Sequence, residues 1–90
     1  MPRYVIERDI PGAGQLSAEE LTGISRKSCA AVQGVGRSLQ WVRSQVTADK
    51  VYCEYIAPDE QAIMEHAERG GFPITRVSPV LGTIDPTTAE

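Results

Sequence analysis

An α+β sandwich, one antiparallel sheet covered on one face by two helices, is the fold class that the sequence predicts. Three observations predict it. Two segments open with helix-start signals, around Ser17 and Pro58, and each closes on glycine. Four short runs rich in β-branched and aromatic residues surround them, in the order strand, helix, strand, strand, helix, strand. The chain has 90 residues, enough for one modest core and not for two.

Composition narrows the function classes. The formal net charge is −3, and the 9 lysines and arginines are scattered. A nucleic-acid interface needs a basic stripe to neutralise phosphates, so no nucleic-acid partner is expected. No apolar run approaches the roughly 20 residues that cross a bilayer, so no membrane partner is expected either. Charges at Arg3, Glu7, Arg8 and Asp9 are unlike a signal peptide. The expected compartment is the cytoplasm, where Cys29 and Cys53 stay reduced; their spacing is not Cys-x-x-Cys.

Residues 2–9 (PRYVIERD) predict the first strand, with Val5 and Glu7 on one face and Tyr4 and Ile6 on the other. Glu7 and Arg8 are then charges near the end of a buried strand and require partners. Pro11, Gly12 and Gly14 mark a loop. Ser17 and Glu20 fit a capping box, and Leu16 with Leu21 fits the hydrophobic staple beside it. The helix they start is expected over residues 18–33, with Leu21, Ile24, Ser28, Ala31 and Val32 as its inner stripe.

Residues 38–47 predict a second strand, with Leu39, Trp41, Arg43 and Gln45 opposed to Gln40, Val42, Ser44 and Val46. A polar turn, Thr47-Ala48-Asp49-Lys50, leads into a third strand over 51–57, where Val51, Cys53, Tyr55 and Ala57 share a face. Pro58 is expected to open the second helix, which turns Ala62, Ile63, His66 and Ala67 inward and pairs Glu65 with Arg69 outside. Gly70 and Gly71 stop it. Residues 74–77 predict a fourth strand, at an edge because of Pro79; residues 80–84 predict a short fifth one. One domain over 1–84 and a polar tail over 85–90 follow.

Right-handed crossovers through this order give the ferredoxin-like, split βαβ arrangement. Its bare sheet face, carrying residues such as Trp41, Tyr52 or Ile56, predicts a homodimer formed sheet to sheet.

The residues able to carry chemistry collect between Val51 and Pro73. His66, the only histidine, leans toward the sheet one turn after Ile63. Its ring can serve as a metal ligand, a general base or a hydrogen-bonded core group. Cys53 is either a small buried hydrophobe or a partner for His66, as nucleophile beside base or as a second soft ligand. Glu7, on the neighbouring strand, either completes a mixed nickel or zinc site with them or forms an ion pair. Trp41 and Tyr55 are the candidate walls of a ligand pocket. The glycines follow a helix or lie in turns and make no phosphate loop.

The runs YVIERDIPGAG, WVRSQVTADKVYCEYIAPDEQAIMEHAERGGFP and RVSPVLGTIDPTTAE resemble the bacterial domain-of-unknown-function 4242 family over nearly the whole chain. The resemblance implies a ferredoxin-like fold, a dimer and, for some members, nickel binding. The reading that follows is a nickel-buffering protein rather than an enzyme, anchored on His66 with Cys53 and Glu7. The alternative is a pocket between sheet and helices, possibly catalytic, near His66 and walled by Trp41 or Tyr55. A pure interaction module is the third.

Overall fold

The structure, a computed structural model, describes residues 2–36 and 38–90. Strand β1 (Arg3–Asp9), helix α1 (Ala18–Val35), strands β2 (Gln40–Val46) and β3 (Lys50–Ile56), helix α2 (Glu60–Gly70) and strand β4 (Arg76–Pro79) follow in that order. The sheet is antiparallel with order β2-β3-β1-β4, so the two strands flanking each helix lie one strand apart. This is the predicted α+β sandwich.

Strand parity decides what enters the core. Tyr4, Ile6 and Arg8 of β1 are buried toward the helices, whereas Arg3, Val5 and Asp9 are exposed and Glu7 is half-buried. On β3, Cys53 and Tyr55 lie opposite Ile6 and Tyr4 and share their face. α2 closes this layer with Ala62, Ile63, His66 and Ala67, all buried. α1 contributes Ser28, Ala31 and Val35, but Ile24 is 41 % exposed, so the first half of its expected inner stripe stands off the sheet.

The helix ends follow their local chemistry. The capping box forms: Glu20 N donates to Ser17 Oγ at 3.1 Å, and Ser17 N to Glu20 Oε1 at 3.0 Å. α2 differs from expectation at its start. Asp59 is the cap, its carboxylate accepting from Ala62 N at 3.0 Å, and Pro58 lies outside the helix. A carboxylate satisfies a free helical N–H outright, which a proline at the first position only avoids needing. Gly71 ends α2 in the left-handed region at φ 68°, where a side chain would be strained.

Two strand expectations are corrected. Residues 80–84 form no fifth strand; Val80 N donates to Arg3 O at 2.8 Å, and the chain then runs exposed to a short 3-10 turn, Pro86–Ala89. More consequential is an irregularity in β2. Trp41 stands opposite Tyr55 and Arg43 opposite Glu54, so Val42 is an extra residue in the ladder. Past it the alternation inverts. Trp41 and Ser44 face the helices together, and Arg43 faces out to an ion pair with Glu54 at 2.9 Å. Trp41 therefore does not belong to the bare sheet face, which Tyr52 and Ile56 do occupy.

The turn after α2 places one more ring. Phe72 folds back over Gly70, where a Cβ would collide with the edge of the phenyl ring. Glycine to alanine within a helix ordinarily gains up to about 1 kcal/mol. Here overpacking costs about 1–3 kcal/mol and wins. Gly70→Ala is accordingly expected to lower the urea midpoint with an unchanged m-value; a midpoint at or above that of the parent protein would show that Phe72 yields freely.

Candidate functional site

The inner faces of β1, β2 and β3 meet the N-terminal half of α1 around a cavity of about 180 Å³. Its walls include Trp41, Val46, Val51, Leu21 and Ile24, with Phe72 at the side nearest α2. Polar groups enter from both layers: Arg8, Ser44, Cys53 and Tyr55 from the sheet, Ser25 and Ser28 from α1. The space exists because α1 leans away from the sheet over its first turns, as the exposure of Ile24 records.

Arg8 is the dominant feature. It is 2 % exposed, carried inward by the parity of Tyr4 and Ile6. Nη1 donates to Pro73 O at 2.8 Å, and Nε donates to Cys53 Sγ at 3.4 Å. Its guanidinium carbon lies 5.5 Å from the centroid of the Phe72 ring, a cation–π contact. Nη2 is buried and has no hydrogen-bond partner among the described residues. Among the described residues, no carboxylate forms an ion pair with it.

Cys53 receives a second donor: Ser44 Oγ lies 3.0 Å from Sγ, and Trp41 Nε1 donates to Ser44 Oγ at 2.9 Å. The bulge at Val42 makes this relay possible by bringing Trp41 and Ser44 to the same face. Tyr55 sits beside both groups. Burial pushes its phenol above the ordinary value, the Cys53 thiol adds to the rise, and Arg8 and Ser28 oppose it.

His66 lies behind this wall, with none of its surface exposed. Its ring is 4.9 Å from Tyr55 and 5.6 Å from Phe72 by centroids, nearly parallel to the latter. Nε2 is 3.3 Å from the Ser28 carbonyl oxygen and 3.3 Å from Ser28 Oγ. A carbonyl can only accept, so Nε2 carries the proton and Nδ1, buried without a partner, keeps its lone pair. Burial lowers the His66 pKa from 6.5; the bond to the Ser28 backbone works against this, and the Arg8 charge adds to it.

The three residues expected to hold a metal are not brought together. Glu7 lies one position from Ile6 and faces the opposite side of the sheet, where Lys50 Nζ meets Glu7 Oε2 at 3.0 Å and Asp9 Oδ1 at 2.9 Å. Those two carboxylates, Asp9 first, hold the Lys50 ammonium well above its usual range. Cys53 already accepts from two donors, and the cation beside it disfavours a second positive charge. Among the described residues, no three of His, Cys, Asp and Glu form a group able to hold a metal ion. Trp41 and Tyr55, by contrast, both stand in the cavity wall.

Arg8 and Phe72 are the site residues that sequence reasoning missed. The signal for Arg8 was present in its two-residue spacing from Ile6, which puts it on the core face. A wider depression of about 570 Å³ along α1, with Cys29, holds no unpartnered buried polar atom among the described residues.

A two-helix, four-stranded α+β domain with a half-enclosed cavity under its first helix is the class these observations define. The family described as nickel responsive protein SCO4226-like matches residues 4–80, and the chain belongs to that family. The fold is also that of the crystal structure of SCO4226 from Streptomyces coelicolor A3(2). That likeness has a TM-score of 0.77 and 13 % identity, over 91 % of this chain and 99 % of the other. No curated protein matches the sequence. No helix among the described residues is long and apolar enough to cross a membrane.

The buried imidazole makes stability depend on pH. Below pH 6.5 the unfolded chain protonates His66 and the folded chain does so only at lower pH, so stability is complete above 6.5 and falls below it. The slope reaches at most about 1.4 kcal/mol per pH unit for one proton. Urea unfolding at pH 7.5 and 5.5 should show the loss, and His66→Gln should flatten that window. An unchanged slope in the variant would assign the loss to other groups.

Proposed function

We propose that the chain is a small-molecule-binding member of the nickel responsive family and carries out no chemistry on its ligand. The cavity carries this reading. Interiors of small domains normally close-pack, yet about 180 Å³ stays open here between apolar side chains of β2, β3 and α1. That is room for about six waters at ~30 Å³ each, too little for a nucleotide. Separate partners for the thiol and the imidazole, Arg8 and Ser44 for one and Ser28 for the other, support binding over nucleophilic catalysis.

Benzene tests the reading, because dry cavities of this size admit it. It should perturb the indole resonances of Trp41, the only tryptophan, and Ile24→Trp, which fills the mouth from α1, should abolish the effect. No response from the parent protein would sink the proposal.

Family membership favours a second reading, a direct nickel role. Since one chain assembles no three-donor group among its described residues, nickel in this reading is held between two copies. Calorimetric titration of tag-free protein should then give the same nickel uptake for His66→Ala as for the parent. Loss of uptake in that variant would return the metal to the core imidazole.

The dimer proposed with either reading forms through the face turned away from the helices. Val5, Tyr52 and Ile56 supply its apolar part, and the ion pairs of Glu54 with Arg3 and Arg43 flank it. Light scattering should give a dimer mass for the parent and a monomer mass for Ile56→Glu; monomers in both would refute it.

A further inference from the structure

We infer that the occupant of this cavity is a small amphipathic monocarboxylate, its charged end on Arg8 and its apolar body against Trp41. The inference rests on the reading of the cavity as a ligand site and adds to it the sign and placement of the ligand's charge.

The argument starts from a charge without its counterpart. Buried arginines are paired, because an isolated buried ion costs several kcal/mol. Arg8 is 2 % exposed, and its guanidinium is met by a carbonyl, a sulfur and a ring face, with the neutral Tyr55 phenol beside it. Nη2 has no hydrogen-bond partner among the described residues, and Arg8 lines the cavity. An anion entering there gains a charge-assisted hydrogen bond that nothing in the described chain provides.

The remaining geometry sets the class of anion. Nε and Nη1 each already hold an acceptor, so Nη2 is the donor left for an incoming anion, and the contact it offers is single-pronged. One positive charge neutralises one negative charge, and a phosphate dianion would leave net charge buried. The Tyr55 phenol and the Ser28 hydroxyl line the same cavity as Arg8 and suit the second oxygen of a carboxylate. Beyond them the wall is apolar, with Val46, Val51, Leu21 and Ile24 around the indole of Trp41. At about 180 Å³ the space accepts a single ring or a short chain rather than a lipid or a nucleotide.

Phenylacetate and phenylacetamide, alike in shape and different in charge, are the probes. Trp41 fluorescence reports both titrations, at pH 7.5 with the full chain. Phenylacetate is expected to bind the parent protein at least about tenfold more tightly than phenylacetamide. Arg8→Met is expected to bring phenylacetate to the level of the amide and to leave the amide unchanged. Equal affinity of the two probes for the parent, or a preference that survives Arg8→Met, overturns the inference. Should Arg8→Met fail to fold, the comparison on the parent protein still decides. Lys27→Ala serves as control: Lys27 is an exposed cation 5.8 Å from the Phe72 ring, and its loss should leave the preference intact. Potassium chloride at equal ionic strength should not move the fluorescence; a shift as large as that with phenylacetate would reduce the site to one for inorganic anions and overturn the amphipathic part. If benzene and both probes all fail to bind, the cavity reading itself falls. If benzene and the amide bind and the carboxylate has no advantage, only the present inference does.

Discussion

A guanidinium sealed between the sheet and the helices, with no carboxylate upon it, is the constraint on which the rest of this structure depends. Strand parity makes it unavoidable. Tyr4 and Ile6 must face the helices to fill the core, and Arg8 follows two residues later on the same face. The fold spreads the cost of that charge over several elements. β3 offers the Cys53 sulfur, and the turn after α2 offers the Pro73 carbonyl and the face of Phe72. Those contacts also account for Gly70, since only a residue without a Cβ leaves room for Phe72 to lie where it meets both Arg8 and His66. One buried charge thereby ties the first strand to the exit of the second helix.

The extra residue at Val42 is the second device, and it shapes the cavity rather than the core. With unbroken alternation, Trp41 would share its face with Arg43, and Ser44 would point away. With the bulge, Trp41 and Ser44 both turn inward, and the indole N–H is satisfied by a hydroxyl that in turn reaches Cys53. A buried indole needs such a partner. Arg43 is released to the open face, where Glu54 takes it together with Arg3. The same local insertion thus furnishes the cavity's aromatic wall and an ion-pair group on the opposite side.

The fold was legible because its determinants are local. The Ser17–Glu20 box, the Gly36 and Gly71 stops and the parity of β3 each act within a few residues. The failures are of the opposite kind. Nothing near Val42 in the chain announces a bulge, because the register of β2 is settled by β3 and by the volume under α1. Glu7 was placed with Cys53 because neighbouring strands were expected to bring them side by side, but Cys53 pairs with Ile6 and Glu7 with Tyr52, so their side chains leave the sheet on opposite faces. His66 was read correctly as an inward residue; that its partner is Ser28 of α1 rather than a strand depends on how the two helices dock, which no spacing within α2 encodes.

The same arginine bears on the nickel connection of the family. A dication bound at Cys53 would sit beside the guanidinium of Arg8 and be repelled by it. Metal–thiolate bonding would have to exceed that and also displace the donors from Arg8 and Ser44. At 13 % identity the shared fold with SCO4226 carries no obligation that donor atoms coincide. For an anion each of these terms changes sign: the guanidinium attracts it, Nη2 supplies a waiting donor, and the hydrogen bonds to Cys53 can stay in place. The charge of Arg8 thus disfavours a cation in this interior and favours an anion, as the proposed ligand requires.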